Sequence, residues 1–176
     1  MFLRHGYDAT TTQMILSAAD LSKGALYHHF SAKDDIAEAI YSETSKMAIE
    51  YAMRAISPDT PPLERLKQAT FAWLDHIRDP DIACIMLEIG PEALGWRRAK
   101  AIEDGHSLAA MTAILRAAER VGEIEISSAP IVARLLNAVL AEAALIDIEF
   151  QGTARSDVKD ALERIIDGFR PPGLKS

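Results

Sequence analysis

An all-α fold is predicted for this 176-residue chain by three features of its sequence. Apolar residues recur at the three- and four-residue spacing of one helix face along nearly every segment, and no stretch shows the alternation of a half-buried strand. Serine, threonine and aspartate precede these runs and glycine or proline follows them, where helices take their caps and stops. One clear break, Ser57-Pro58-Asp59-Thr60-Pro61-Pro62, separates a small N-terminal part from a larger body.

The first helical pair lies between Thr10 and Phe30. Thr10-Thr11 open a helix, because a threonine hydroxyl accepts an amide hydrogen that the first turn leaves unpaired. Met14, Ile15 and Ala18 give it an apolar face. Ala19-Asp20-Leu21 form the turn, with Asp20 at the left-handed position that short Asx side chains tolerate. Ser22 caps a second helix running through Lys23, Gly24, Ala25, Leu26, Tyr27, His28 and His29 to Phe30. Leu26 and Phe30 point inward with Leu21 and Ile15, leaving Lys23, Gly24, Ala25, Tyr27 and His28 on the opposite face. A helix entering the major groove needs small residues at close approach, polar donors at its N-terminal end and flanking groups for phosphates. The pair therefore reads as a DNA-binding helix-turn-helix.

Ser31 begins the next helix, with Asp34 at the third position in the manner of a capping box. Ile36, Ile40, Met47 and Tyr51 mark one stripe to about Ile56, a rod of about 35 Å that can connect head and body. After the linker a helix runs from about Pro61 to Arg78, with Leu63, Leu66, Thr70, Trp73, Leu74 and Ile77 inward. Asp79-Pro80 cap a helix over 81–89, expected to stop at Gly90-Pro91, and 90–96 is expected to be irregular or a single turn. A long helix follows from Trp96 to Val121, closed by Gly122. Ser128 and Pro130 open a very apolar helix to Phe150. The last helix, from Ser156 to Phe169, carries Val158, Ala161, Leu162, Ile165 and Ile166 on one seam and ends at Pro171-Pro172-Gly173. These boundaries give a head over 1–32, a connecting helix over 33–56 and a body over 57–176.

Composition is that of an ordinary globular protein, 49% apolar and 26% charged, with net charge −7. Residues 1–33 sum to +1 and add His5, His28 and His29, so the rest carries −8. The sign suits a head that meets phosphate. Cys84 is the only cysteine. It excludes an internal disulfide framework and a cysteine-based zinc cluster, suits a reducing cytoplasm, and reads as a buried structural thiol. The most apolar run, Leu135 to Ile146, is interrupted by Asn137 and Glu142 and falls short of the roughly twenty residues of a spanning helix. No leader and no membrane partner are expected.

Gly6-Tyr7, Thr10-Thr11, Ile15, Ala19, the run Leu21 to Phe30 and Lys33 together resemble the TetR family of transcriptional regulators. The resemblance implies that Tyr27 and His28 meet backbone oxygens, that Lys23, Gly24 and Ala25 lie at or near base edges, and that Lys33 meets a phosphate. Thr10, Thr11 and Ser22 combine capping with DNA contact. Asp20 stands where the family usually has glycine. Met1-Phe2-Leu3 stand where its first helix would be ending, so the head is expected to carry a truncated first helix.

In the body, Trp73, Ile77, Met86, Ile89, Trp96, Met111 and Leu115 are candidates to line an apolar effector cavity, with Asn137 among the polar groups that orient a ligand. The two C-terminal helices carry more apolar residues than one partner each can cover. Leu135, Val139, Ile146, Ile165 and Phe169 therefore point to a homodimer through a four-helix bundle. A ligand-responsive repressor of a double-stranded DNA operator is expected. The alternative is a small-molecule-binding helical dimer without DNA-binding activity. No Ser/His/Asp, paired-carboxylate or glycine-rich phosphate-binding arrangement stands out, so neither an enzyme nor a cofactor is expected. Adjacent helical positions diverge by about 100°, so His28 and His29 are not expected to share a metal ion.

Overall fold

The computed structural model describes residues 1–57 and 59–173; Pro58, in the expected linker, lies outside the described residues. Every regular element among the described residues is helical: α1 Phe2–Ala9, α2 Thr12–Ala19, α3 Lys23–His29, α4 Lys33–Arg54, α5 Pro62–His76, α6 Pro80–Ala83, a π-helical turn Cys84–Ile89, α7 Gly90–Leu94, α8 Trp96–Arg120, α9 Ala129–Glu149 and α10 Arg155–Asp167. Among these residues no helix is long and apolar enough to cross a membrane.

The local signals account for most boundaries. Pro62 and Pro80 sit in first turns, where a missing N–H costs nothing, and the Asp79 carboxylate accepts the amides of Asp81 and Ile82. Gly122 takes φ 76° just beyond α8. At the start of α4 the reaching carboxylate is that of Asp35, which accepts the amides of Ser31 and Ala32 at 2.8 and 3.1 Å. Asp34, expected in that role, instead accepts the hydroxyl of Tyr7.

The expected stop at Gly90-Pro91 does not occur. The chain winds through it as α6, the π turn and α7, and breaks at Gly95, where φ is 72°. Pro91 lies just after the π turn, where the Gly90 amide still closes on the Ile85 carbonyl and helical winding continues into α7.

Two compact units divide the chain, Met1–Lys46 with Asp79–Glu103, and Met47–Arg78 with Asp104–Ser176. In the first, Phe2, Tyr7, Leu16, Leu26, Ile36, Ala37 and Ile89 form the core, with Ile15, Phe30, Cys84, Ile85 and Ala93 packed against it. Residues 79–103, read from the sequence as part of the body, thus supply apolar side chains to the head. Three helices of eight, eight and seven residues bury too little by themselves.

The second unit closes on Leu63, Leu66, Ile114, Leu115, Ala118, Ile124, Ala129, Ala133, Leu136 and Ile166. Lys67, 6% exposed, reaches Glu163 and Asp167 of α10 at 2.9 and 2.8 Å. Burial opposes the Lys67 charge, but these two carboxylates outweigh it and leave the ammonium raised. Burial likewise works against the Asp167 charge, and Lys67 with Arg170 overcomes it, leaving the carboxyl lowered. On α9 and α10, Ile131 and Leu135 are each 63% exposed, Leu145 44% and Ile165 41%. Val139, Ile146 and Phe169, expected to share that exposure, are half-buried.

Candidate nucleic-acid interface

The candidate reader is built from α1 upward. Gly6, at φ 75°, kinks α1 and folds the chain so that Tyr7 enters the core. The Tyr7 hydroxyl donates to Asp34, and burial first, then that carboxylate, pushes its pKa up to about 12. The Lys33 ammonium donates to the Tyr7 carbonyl at 2.8 Å and lies 3.9 Å from the centre of the Tyr7 ring. Lys33, expected at a phosphate, is therefore held by the head itself. Thr10, expected to combine capping with DNA contact, is fully buried and donates its hydroxyl to the Gly6 carbonyl at 2.6 Å. The kink that brings Gly6 over Thr10 is what removes that side chain from the surface.

Thr11 is the N-cap of α2, its hydroxyl accepting the Met14 amide at 3.2 Å, and Ser22 caps α3 by accepting the Ala25 amide at 3.2 Å. Asp20 lies in the left-handed region at φ 53°, ψ 40°, and the Leu21 amide closes back on the Leu16 carbonyl at 3.1 Å. Leu26 is buried and Phe30 half-buried behind α3. Leu21, expected beside them, is 47% exposed, and Leu16 takes the inner position at 6%. The turn carries Leu21 past the core before α3 begins.

Ser22, Lys23, Gly24, Ala25, Tyr27 and His28 are all exposed on the outer side of α3. Nothing lies within 4 Å of where a Gly24 side chain would start, so a backbone or base edge can approach there. Lys23 stands 5.7 Å from the Tyr27 ring centre. His28 and His29, expected to diverge, stack with ring centres 5.0 Å apart and planes at 18°. They fall in the last turn of a helix that ends at His29, where side chains are less confined by a following turn.

Gln13 and Ser17 escaped the sequence reading. Both are exposed, and with Leu16, Asp20, Leu21, Ser22 and Lys23 they line a groove of about 320 Å³ between α2 and α3. Their spacing of four places them on one helix face, a signal that was available. Charge does not single this unit out, since it holds seven Lys and Arg against eleven Asp and Glu.

The candidate effector residues divide between the units. Trp73, Ile77, Met111, Leu115 and Asn137 belong to the second, and Met86, Ile89 and Trp96 to the first. Ile89 is part of the reader's own core. Trp96 is 72% exposed, because the left-handed Gly95 before it ends α7 and α8 starts with Trp96 outward. In the second unit Ile77 and Leu115 are fully buried, and Asn137 donates to Asp104 at 2.9 Å. A groove of about 520 Å³ there is lined by Glu125, Ile126, Ser127, Val132, Phe169 and Arg170 among others, none of them an expected effector residue. The Cys84 thiol lies 3.8 Å from Glu88, and burial, then that carboxylate, pushes it up, away from a reactive thiolate.

Comparison with known proteins gives a consistent picture. Residues 1–40 match the family described as bacterial regulatory proteins, tetR family, and residues 63–169 match the tetracyclin repressor-like C-terminal domain. The chain is 31% identical over 74 residues to the uncharacterized HTH-type transcriptional regulator YhgD of Bacillus subtilis, covering 42% of this chain and 39% of that one. It is 30% identical over 79 residues to the HTH-type transcriptional repressor KstR2 of Mycolicibacterium smegmatis, covering 43% and 38%. These matches span about two fifths of the length of those relatives. Among solved structures, a TetR-family transcriptional regulator from Pectobacterium atrosepticum superposes with TM-score 0.80 at 25% identity, covering 96% of this chain and 88% of that one. Escherichia coli NemR in its reduced form shares the fold, with TM-score 0.72 at 15% identity over 97% and 92%. With its C-terminal match alone covering more than half the residues, the chain belongs to the TetR family of bacterial regulatory proteins.

Proposed function

We propose that this protein is a ligand-responsive transcriptional repressor that binds a pseudo-palindromic DNA operator as a homodimer and leaves it when a small apolar effector binds. The observation that carries this reading is the outer face of α3, where Ser22, Lys23, Gly24, Ala25, Tyr27 and His28 stand exposed on a helix anchored from behind by Leu26. Lys23, Gly24 and Ala25 approach base edges. Thr11, Ser22, Tyr27 and His28 meet backbone oxygens, and Gln13 and Ser17 extend that contact along α2. Lys33 uses one of its three donors on Tyr7, which holds the ammonium near the N-terminus of α4.

One recognition helix reads too few base pairs for a unique site, and two related by a dyad read a pseudo-palindrome. The exposed Ile131, Leu135, Leu145 and Ile165 supply the apolar surface for that dimer. Trp73, Ile77, Met111 and Leu115 of the second unit are the effector-facing candidates, with Asn137 as orienting group. The effector favours one of two arrangements of the body, α4 transmits the choice, and the two heads of the dimer lose their match to the operator. A coupling of roughly 1 to 3 kcal/mol weakens operator affinity about five- to a hundredfold.

Selection of bound duplexes from random DNA at low salt tests the proposal. The expected product is a two-fold symmetric consensus whose binding weakens steeply with salt. A dimer that selects no duplex overturns it and leaves the second reading, a helical dimer that binds only small molecules.

A further inference from the structure

Charge is unevenly spread in the first unit. The unit is acidic as a whole, yet Gly95-Trp96-Arg97-Arg98-Ala99-Lys100 carries three cations and no acid, the densest cationic run in the chain. That run opens α8, whose first turn holds no acidic residue. Trp96, Arg97 and Arg98 stand exposed, while Ala99, 3% exposed, holds the helix start to the unit. Among the described residues Trp96 is the most exposed of the large apolar side chains, and a water-facing indole beside arginine is the composition of an interaction surface.

An acidic unit is repelled by phosphate unless its cations gather where the two meet. Within the unit Lys33, Lys46 and Arg98 are engaged by Tyr7, Glu43 and Glu38. Among the described residues the side chains of Arg4, Lys23 and Arg97 make no hydrogen bond or ion pair. Arg4 and Lys23 lie on α1 and α3 of the reader, and Arg97 is the third. Its neighbour Arg98 fastens the start of α8 to Glu38, which lies five residues, about 8 Å of helix, beyond Lys33 on α4. We propose that Trp96 and Arg97 form a second contact with DNA, on the sugar–phosphate backbone beside the half-site that α3 reads. Arg97 pairs with a phosphate, and the Trp96 indole lies against the adjoining sugar with its N–H as a further donor. The inference rests on the reading that α3 meets DNA.

The experiment offers the full-length protein a duplex selected by the wild type, either trimmed to the consensus or extended by about one helical turn on each side. The wild type should bind the extended duplex more tightly and protect sugars beyond the consensus from hydroxyl-radical cleavage. Trp96→Ala with Arg97→Ala should weaken binding to the extended duplex by about tenfold, lower the salt slope by about one per protomer and abolish the outer protection, with the selected consensus unchanged. Both side chains face water, so the variant should keep its melting temperature, and Arg97→Lys should retain most of the salt slope. A wild type that binds both lengths alike, a loss of affinity equal on both, or an unchanged slope and footprint would overturn the proposal. Loss of self-association with DNA affinity intact also overturns it, by giving the patch to a second copy. If the wild type selects no duplex, the DNA-binding reading fails and takes this inference with it, whereas a variant that binds as the wild type does sinks this inference alone.

Discussion

In the first unit, helices of eight, eight and seven residues open the chain, α1 is tied to α4 by hydrogen bonds from Tyr7 to Asp34 and from Lys33 to the Tyr7 carbonyl, and α4 to α8 by one from Tyr41 to Glu103. In the second, helices of 15, 21 and 13 residues close on leucine, isoleucine and alanine. Short helices are marginal alone. Where short helices also leave one face free, side-chain latches supply the rigidity that buried area cannot. The body has area to spare and leaves an apolar face on α9 and α10 uncovered, a face suited to a second copy.

This contrast can be broken from either side. The largest effect is expected from Leu115→Ala, which empties the centre of the second core and should destabilise it by about 2–5 kcal/mol in denaturant unfolding. Next comes Leu135→Glu with Ile131→Glu, which places charge on the uncovered face. Sedimentation should show self-association weakened by about tenfold or more while the melting of helix within each chain stays cooperative. Ser22→Ala removes one cap from the reader and should cost it about 1 kcal/mol, seen as faster amide exchange in α3 with the second unit unchanged.

The pH response is the smallest effect near neutrality and sharpens the comparison at its extremes. Asp167 titrates below its ordinary 3.8, so its contribution is present above that pH and is lost as pH falls through the folded value. Acid should therefore loosen the α5–α10 pairing of the body. Tyr7 is raised from 10.0 to about 12, so its contribution is complete below pH 10 and lost as pH rises through about 12, loosening the reader. Lys67, raised from 10.5, follows the same alkaline sign in the body. Tyrosinate absorbance during the alkaline titration should show a late component that Tyr7→Phe reduces and does not abolish, because burial and Glu103 raise Tyr41 as well.

What the sequence made legible was local chemistry. Thr11 and Ser22 cap because their hydroxyls meet amides three residues on, and Asp20 turns the chain because of its own φ, so neighbours in sequence sufficed. What it concealed depends on distant partners. Thr10 is buried by the kink at Gly6, Lys33 is claimed by a tyrosine 26 residues earlier, and Gly90 serves Tyr41 instead of ending a helix. The grouping of 79–103 with the head follows from the same cause, since nothing in the spacing of Cys84, Ile85 and Ile89 says which core will receive them.

The two tryptophans of the chain fall one to each unit, Trp96 at 72% exposure in the first and half-buried Trp73 in the second. Their fluorescence therefore separates by environment, the water-facing indole emitting at longer wavelength than the sheltered one. With Trp73→Phe the remaining emission reports on the first unit alone, and with Trp96→Phe on the second, so one optical signal can time events in each half of the molecule.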